Sequence, residues 1–179
     1  MTIYSYKLTT DNGSAPCIKN NLLSLAICKP KIRKNANIND YIIGISANSM
    51  NLGENKLLYI ARITNKILLQ DYYNLYSNRK DCIYNDKLCR LKNAGYHSCK
   101  DKKKDLSGLY VLLSSDFIFF GSRNIIIPNI VKDIIPKYQG HLSKKNIKFN
   151  KILPNLFIEL KNKYGKGKLG NHINLTKTC

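Results

Sequence analysis

Two nearly uninterrupted apolar runs, Tyr41-Ile42-Ile43-Gly44-Ile45 and Leu57-Leu58-Tyr59-Ile60-Ala61, constrain the fold of this chain more than any other feature. A strand with one wet face alternates apolar and polar residues, whereas a strand covered on both faces offers no position that suits a polar side chain. The runs therefore predict strands over 40–46 and 57–64, joined through the polar segment 48–55 and buried from both sides.

The remaining elements arrange themselves around that pair. Ile3 to Leu8 alternates as a strand and ends in the turn residues Asp11-Asn12-Gly13-Ser14-Ala15-Pro16, with a loop expected over 17–21. Leu68, Leu69, Tyr72, Tyr73 and Tyr76 predict a short amphipathic helix over 67–76, its tyrosines serving as packing. The polar, cysteine-containing stretch 78–108, with a charge run over 100–105, reads as a long surface excursion. Strands are expected over 109–114, 117–121 and 124–127, then a short helix over 129–135 closed by Pro136. The last strong element is a helix over 153–163, with Pro154 near its first turn and Lys161 and Lys163 at its dipole-negative end. Strands in the middle, with helices between and after them, imply an α+β fold: one domain over 1–170 with a curved mixed or barrel-like sheet and flanking helices, not a doubly wound parallel sheet. A basic tail over 171–179 completes the chain.

Charge narrows the class of partner. The 179 residues carry 30 Lys and Arg against 11 Asp and Glu, a formal net charge of +19 spread from Lys7 to Lys177. Such a field draws nucleic acid, and it also suits anionic membranes or acidic protein partners. Arginine is confined to Arg33, Arg62, Arg79, Arg90 and Arg123, and its planar fork ranks these above the lysines as specific phosphate or base contacts. No apolar run is long enough to cross a bilayer, and Met1 to Tyr6 lacks a signal-peptide pattern, so a soluble, cytoplasmic protein is expected. In that setting Cys17, Cys28, Cys82, Cys89, Cys99 and Cys179 are expected to stay reduced.

Five places are candidates for chemistry. Cys28-Lys29-Pro30-Lys31-Ile32-Arg33 sets one thiol beside three cations, which attract phosphate and favour the thiolate; Cys28 is either a nucleophile or a small buried hydrophobe. Tyr138-Gln139-Gly140-His141 supplies a histidine suited to act as base or donor, next to a glycine that lets a ligand approach the backbone. Arg79-Lys80-Asp81-Cys82-Ile83-Tyr84 offers a carboxylate and an aromatic face, able to read a base or simply to form an ion pair at a strand end. Cys82, Cys89, His97 and Cys99 have zinc-type donors, but without a Cys-x-x-Cys knuckle they are not assigned as a metal site. Gly165-Lys166-Gly167-Lys168-Leu169-Gly170 has the letters of a dinucleotide fingerprint in the wrong context, after a helix, so it reads as a helix stop and flexible basic tail, with phosphate contact through Lys166 the alternative.

In this order along the chain, Tyr4-Ser5-Tyr6, Asp11 with Gly13-Ser14-Ala15-Pro16, Ala26 to Arg33, Asp40 to Gly44, Leu58-Tyr59, Asp81 to Tyr84, Leu112 to Ser114, Phe117 to Gly121, Pro128, Tyr138 to His141 and the glycines at 167 and 170 resemble the nucleotide modification associated domain, type two, a DNA base hypermodification family. The resemblance spans nearly the whole chain, and the Cys-Lys-Pro-Lys-Ile-Arg segment is its most specific part. The chain departs from the family pattern at Asn39 and Lys80, where glycine is usual. What the resemblance implies is an α+β fold and a role in DNA-modification systems, with DNA or a nucleotide as partner and no cofactor specified. On this reading Lys29, Lys31 and Arg33 hold phosphate, with Gly140 and Lys166 as further contacts, and Tyr84 stacks on a nucleotide or flipped base. Asp81 and His141 handle protons, and Cys28 is the nucleophile. The rival readings are a non-catalytic, barrel-like reader of modified bases and an interaction protein whose lysines meet an acidic partner.

Overall fold

The computed structural model describes residues 1–53, 55–92, 94–95, 97–138 and 140–175. In chain order the regular elements are β1 (Ile3–Leu8), β2 (Cys17–Lys19), β3 (Leu22–Leu25), α1 (Pro30–Asn35), β4 (Tyr41–Ser46), β5 (Lys56–Arg62), β6 (Asn65–Leu68) and α2 (Leu69–Tyr76). They continue with α3 (Lys102–Leu106), β7 (Tyr110–Ser114), β8 (Asp116–Phe119), β9 (Ile125–Ile126), β10 (His141–Lys144), α4 (Ile147–Tyr164) and β11 (Gly167–Lys168). Among the described residues no helix is long and apolar enough to cross a membrane.

The strands form a seven-stranded mixed sheet in the order β10-β1-β4-β5-β8-β11, with β9 added to β5, and a four-stranded antiparallel sheet in the order β2-β3-β7-β6. The α+β expectation holds. The barrel-like expectation does not, because the large sheet is open, with β10 and β11 as separate edges. The chain passes between the sheets twice at one corner, from β5 to β6 and from β7 to β8. There the Thr64 N–H donates to the Leu113 carbonyl (2.9 Å) and the Ser114 hydroxyl to the Arg62 carbonyl (2.6 Å).

Four layers result, and they explain the uninterrupted apolar runs. One face of the large sheet (Tyr41, Ile43, Ile45, Leu57, Ile60, Ile118) packs under Phe149, Leu153, Leu156, Phe157 and Leu160 of α4. The other face (Tyr4, Tyr6, Ile42, Leu58, Tyr59, Phe117, Phe119) packs on Leu23, Leu25 and Leu112 of the small sheet. The outer face of the small sheet, through Val111 and Leu113, is covered by Leu69 and Tyr72 of α2 and by Cys82, Ile83 and Tyr84.

Several elements differ from the sequence expectation. Residues 17–19 form a hairpin with β3 instead of a loop, and helix α4 starts six residues earlier than the hydrophobic pattern indicates. The Asn146 side chain caps α4 by accepting the Lys148 N–H (2.9 Å), so Pro154 lies inside the helix. An interior proline costs about 3 kcal/mol; the buried Phe149, Leu153 and Phe157 around it hold the helix together. The segment after α4 is not a loose tail. β11 pairs with β8, and beyond it the His172 ring meets Asp11 Oδ1 through Nδ1 (2.6 Å) while the Asn174 N–H donates to the Asp11 carbonyl (2.9 Å). Residues 176–179 of the predicted tail lie outside the described residues.

Gly44 is required by close packing across the β4–β5 pair. A Cβ there would stand 2.2 Å from the Tyr59 ring and 2.8 Å from Leu8 Cδ1. Gly44→Ala is expected to lower the unfolding free energy by about 1–3 kcal/mol, measured by urea denaturation, and the loss should shrink in a Tyr59→Leu background.

Candidate functional site

The centre of the site is the turn between β3 and α1. Cys28 and Lys29 are both left-handed (φ 57° and 42°), a conformation that costs a side-chain-bearing residue and persists only where the surroundings enforce it. Two buried side chains enforce it here. The Cys28 N–H donates to Asp105 Oδ1 (2.8 Å), and the Cys28 carbonyl accepts from Arg33 Nε (2.8 Å). Arg33 is fully buried and spends its remaining donors on the Tyr110 carbonyl (2.9 Å) and the Asp105 carbonyl. Burial pulls the guanidinium down to about 10, opposed by the Asp105 carboxylate. Gly108 makes room for it, since a Cβ at that position would lie 2.4 Å from the Arg33 guanidinium carbon.

Asp105, on α3, is the hub of the site. Its Oδ2 meets His97 Nε2 (2.7 Å) and accepts the Tyr84 hydroxyl (3.0 Å), while Oδ1 holds the Cys28 backbone. Burial alone would raise the Asp105 carboxyl, but the hydrogen bonds from His97, from the Cys28 N–H and from Tyr84, with the His97 charge, outweigh it and hold the group below the ordinary carboxylate value. Cys28 Sγ, a ring nitrogen of His97 and a carboxylate oxygen of Asp105 lie within 4.8 Å of one another. Asp105 and His97 are buried, and Cys28 is partly exposed. The thiol opens on a cleft of about 190 Å³ whose lining includes Tyr6, Thr10, Lys29, Asp101, Lys104 and His97. Lys29 Nζ lies 4.6 Å from the centre of the Tyr6 ring, and desolvation followed by the like charge of Lys104 lowers its pKa against the pull of Cys28. A thiol, an imidazole and a carboxylate in this order can move a proton from sulfur and orient the base that takes it.

The residues singled out from the sequence fall into three places. Cys28 and Lys29 line the cleft, and Lys31 is exposed at the start of α1. Arg33 and Tyr84 lie beneath it, 0% and 2% exposed, with their polar atoms turned to protein groups. His141, exposed on β10 opposite Tyr6, is lowered by desolvation and by the charges of Lys31 and then Lys29, so it stands beside the cationic turn; Gly140 precedes it, and Gln139 lies outside the described residues. Asp81 stands apart in a buried network, accepting from Ser24 Oγ (2.6 Å) and the Tyr72 hydroxyl (2.8 Å), with Arg79 Nε at 3.8 Å. Desolvation raises its carboxyl against those partners. Lys166 is exposed beside β11, at the edge of the large sheet opposite β10. Of the zinc-type donors, Cys82 is buried, Cys89 and Cys99 are exposed, and His97 joins Cys28 and Asp105 instead. His97 and Asp105 as partners of Cys28 were missed because they sit in the segment read as a surface excursion; Asp105 at the end of a lysine run was the one local signal.

The fold and site define a mixed α+β protein in which a polar cleft carries a thiol, an imidazole and a carboxylate under a cationic rim. A family model described as nucleotide modification associated domain 2 matches residues 1–83 and 74–177, and the chain belongs to that family. No curated protein and no solved structure shows significant similarity to it.

Arg33→Ala is expected to cost about 3–5 kcal/mol, as when one partner of a buried charged cluster is removed; Arg33→Lys should recover little, since an ammonium cannot span the three carbonyls. Thermal and urea unfolding measure both. A carboxyl whose folded pKa lies below its unfolded value of about 3.9 contributes stability that is present above that value and lost as pH falls through the folded one. Unfolding free energy should therefore fall more steeply below about pH 4 in the wild type than in Asp105→Asn.

Proposed function

We propose that the protein binds a nucleotide, or a nucleobase turned out of DNA, in the Cys28 cleft, and takes part there in modification of the base. The observation that carries this reading is the lysine-bearing rim of the cleft of about 190 Å³ on which Cys28 opens. Lys29 and Lys104 line it, and desolvation with the charge of Lys104 lowers the pKa of Lys29; Lys31 and Lys29 act on His141, which lines a second groove with Lys137 and Lys144. A phosphate set among these groups relieves their mutual repulsion and draws charge-assisted hydrogen bonds from the lysines. The groove of lysines tracks a sugar-phosphate backbone without reading its sequence, which leaves recognition of the base to the cleft. Membership of a nucleotide modification associated family supports the same substrate class.

His141 provides the test. Its ring is pushed below its ordinary value by desolvation and by Lys31 and Lys29, so an anion bound among those lysines should raise it. Titration by NMR with and without deoxynucleoside 5′-monophosphates is expected to show that rise. Lys29→Gln with Lys31→Gln should raise the His141 pKa in the free protein and weaken binding of a single-stranded oligonucleotide about tenfold or more, with a reduced salt slope. A His141 pKa indifferent to millimolar nucleotide, together with oligonucleotide binding insensitive to salt, would remove the reading. Nucleoside mass spectrometry of DNA from expressing cells separates modification from recognition: a new base indicates the former, and binding to modified DNA with no new base indicates a reader.

A further inference from the structure

We infer that Cys28 is a covalent nucleophile, with His97 as its base and Asp105 as the positioning residue. The inference rests on the nucleotide reading for its substrate, an electrophilic carbon carried by the bound nucleotide or base; the arrangement of the thiol stands on geometry alone.

Three observations carry it. First, Asp105 engages His97 through Nε2 at 2.7 Å, and Cys28 Sγ, a ring nitrogen of His97 and a carboxylate oxygen of Asp105 lie within 4.8 Å of one another. Second, the accessible member is the thiol, while the imidazole and carboxylate are 3% and 0% exposed behind it. That is the order a nucleophile, its base and an orienting acid require. Third, Asp105 fixes both ends of the pair, holding the Cys28 backbone with Oδ1 and the His97 ring with Oδ2. The charged and titratable groups facing Cys28 are Lys29 in its own turn, Arg33 from α1, Tyr6 from β1, and His97, Asp101, Lys104 and Asp105 from the 97–105 segment. Lys29, Arg33 and Lys104 act toward the thiolate, and the carboxylates of Asp101 and Asp105, the former paired with Lys104 at 3.6 Å, act against it.

In the step itself the Cys28 proton passes to His97 and sulfur forms a bond to the electrophilic carbon. The electron pair displaced from that carbon, from a π bond or with a leaving group, takes the proton back from His97. No oxidant or reductant enters.

The test is the rate of alkylation of Cys28 by iodoacetamide against pH, followed by peptide mass spectrometry in a Cys89→Ser, Cys99→Ser, Cys179→Ser background. Cys17 and Cys82, whose thiols burial pushes up to about 12, are the slow internal references. The expected profile has its inflection at least one unit below the ordinary thiol value of about 8.5. His97→Gln should move it upward and slow the reaction at pH 6.5 about tenfold or more, and Asp105→Asn should act in the same direction, whereas His141→Gln should leave it in place. The wild-type profile decides even where a variant fails to fold: an inflection at or above about 8.5 overturns the inference. So does a thiol that reacts only after chelation with release of one zinc per chain, which would make the three residues metal ligands. Protection of Cys28 by a deoxynucleoside 5′-monophosphate reports separately on the nucleotide reading, and a fast thiol without protection would remove that reading and leave the nucleophile.

Discussion

The clamp that Arg33 and Asp105 close on Cys28 holds the candidate site together. Neither side chain reaches water, and neither is paired directly with the other's charged end. The guanidinium is spent on three backbone carbonyls, the carboxylate on a backbone N–H, an imidazole and a phenol. Each buried charge is thereby satisfied by dipoles that come from elsewhere in the chain, which is the condition under which a buried ion is tolerated at all. Three connections depend on it: the exit of β3, the start of α1, and the return from α3 into β7. Loss of the guanidinium would release the left-handed turn, because nothing in the local sequence favours φ values of 57° and 42° at Cys28 and Lys29.

A polar clamp is used where the small sheet has run out of apolar cover. Among the described residues its outer face is shielded by short elements, α2 and Leu106 of α3, and by the stretch that carries Cys82, Ile83 and Tyr84. That stretch is anchored by polar side chains: Arg79 donates to the Lys19, Cys17 and Leu22 carbonyls, Asp81 gathers Ser24 and Tyr72, and Arg90 donates to the Ala94 and His97 carbonyls. Directional bonds of this kind fix position better than apolar contact does, and position is what a thiol, an imidazole and a carboxylate within 4.8 Å require.

What the sequence disclosed follows the same division. The doubly covered strands β4 and β5 were legible because apolar burial writes itself into consecutive residues. The three-residue β2 was not, because so short a strand has no period to detect. The site was half legible: the Cys28 turn stood out, but its partners lie 69 and 77 residues further on, at His97 and Asp105, and a buried polar residue looks like a surface one until its partners are known. Arg33 was misjudged for that reason. As one of three cations in a row it looked like a phosphate ligand, and only the carbonyls of Asp105 and Tyr110, distant in sequence, show why it turns inward.

The five arginines and the many lysines therefore divide the work in a way composition alone conceals. Arg33 and Arg79 are buried on carbonyls, Arg90 is tied to its own loop, and Arg62 is paired with Asp116 at 2.8 Å; Arg123 is exposed. The planar forks that best read guanine edges and grip phosphate bidentately are thus largely committed to the fold. The cleft and its approaches carry lysine, a mobile point charge that attracts a phosphate but distinguishes poorly among bases. Under the nucleotide reading, the positive field concentrates the ligand, and selection among bases falls to the small, fixed space around Cys28, Tyr6 and His97. The rigidity that the Arg33–Asp105 clamp imposes on that space is then a condition of specificity as well as of stability.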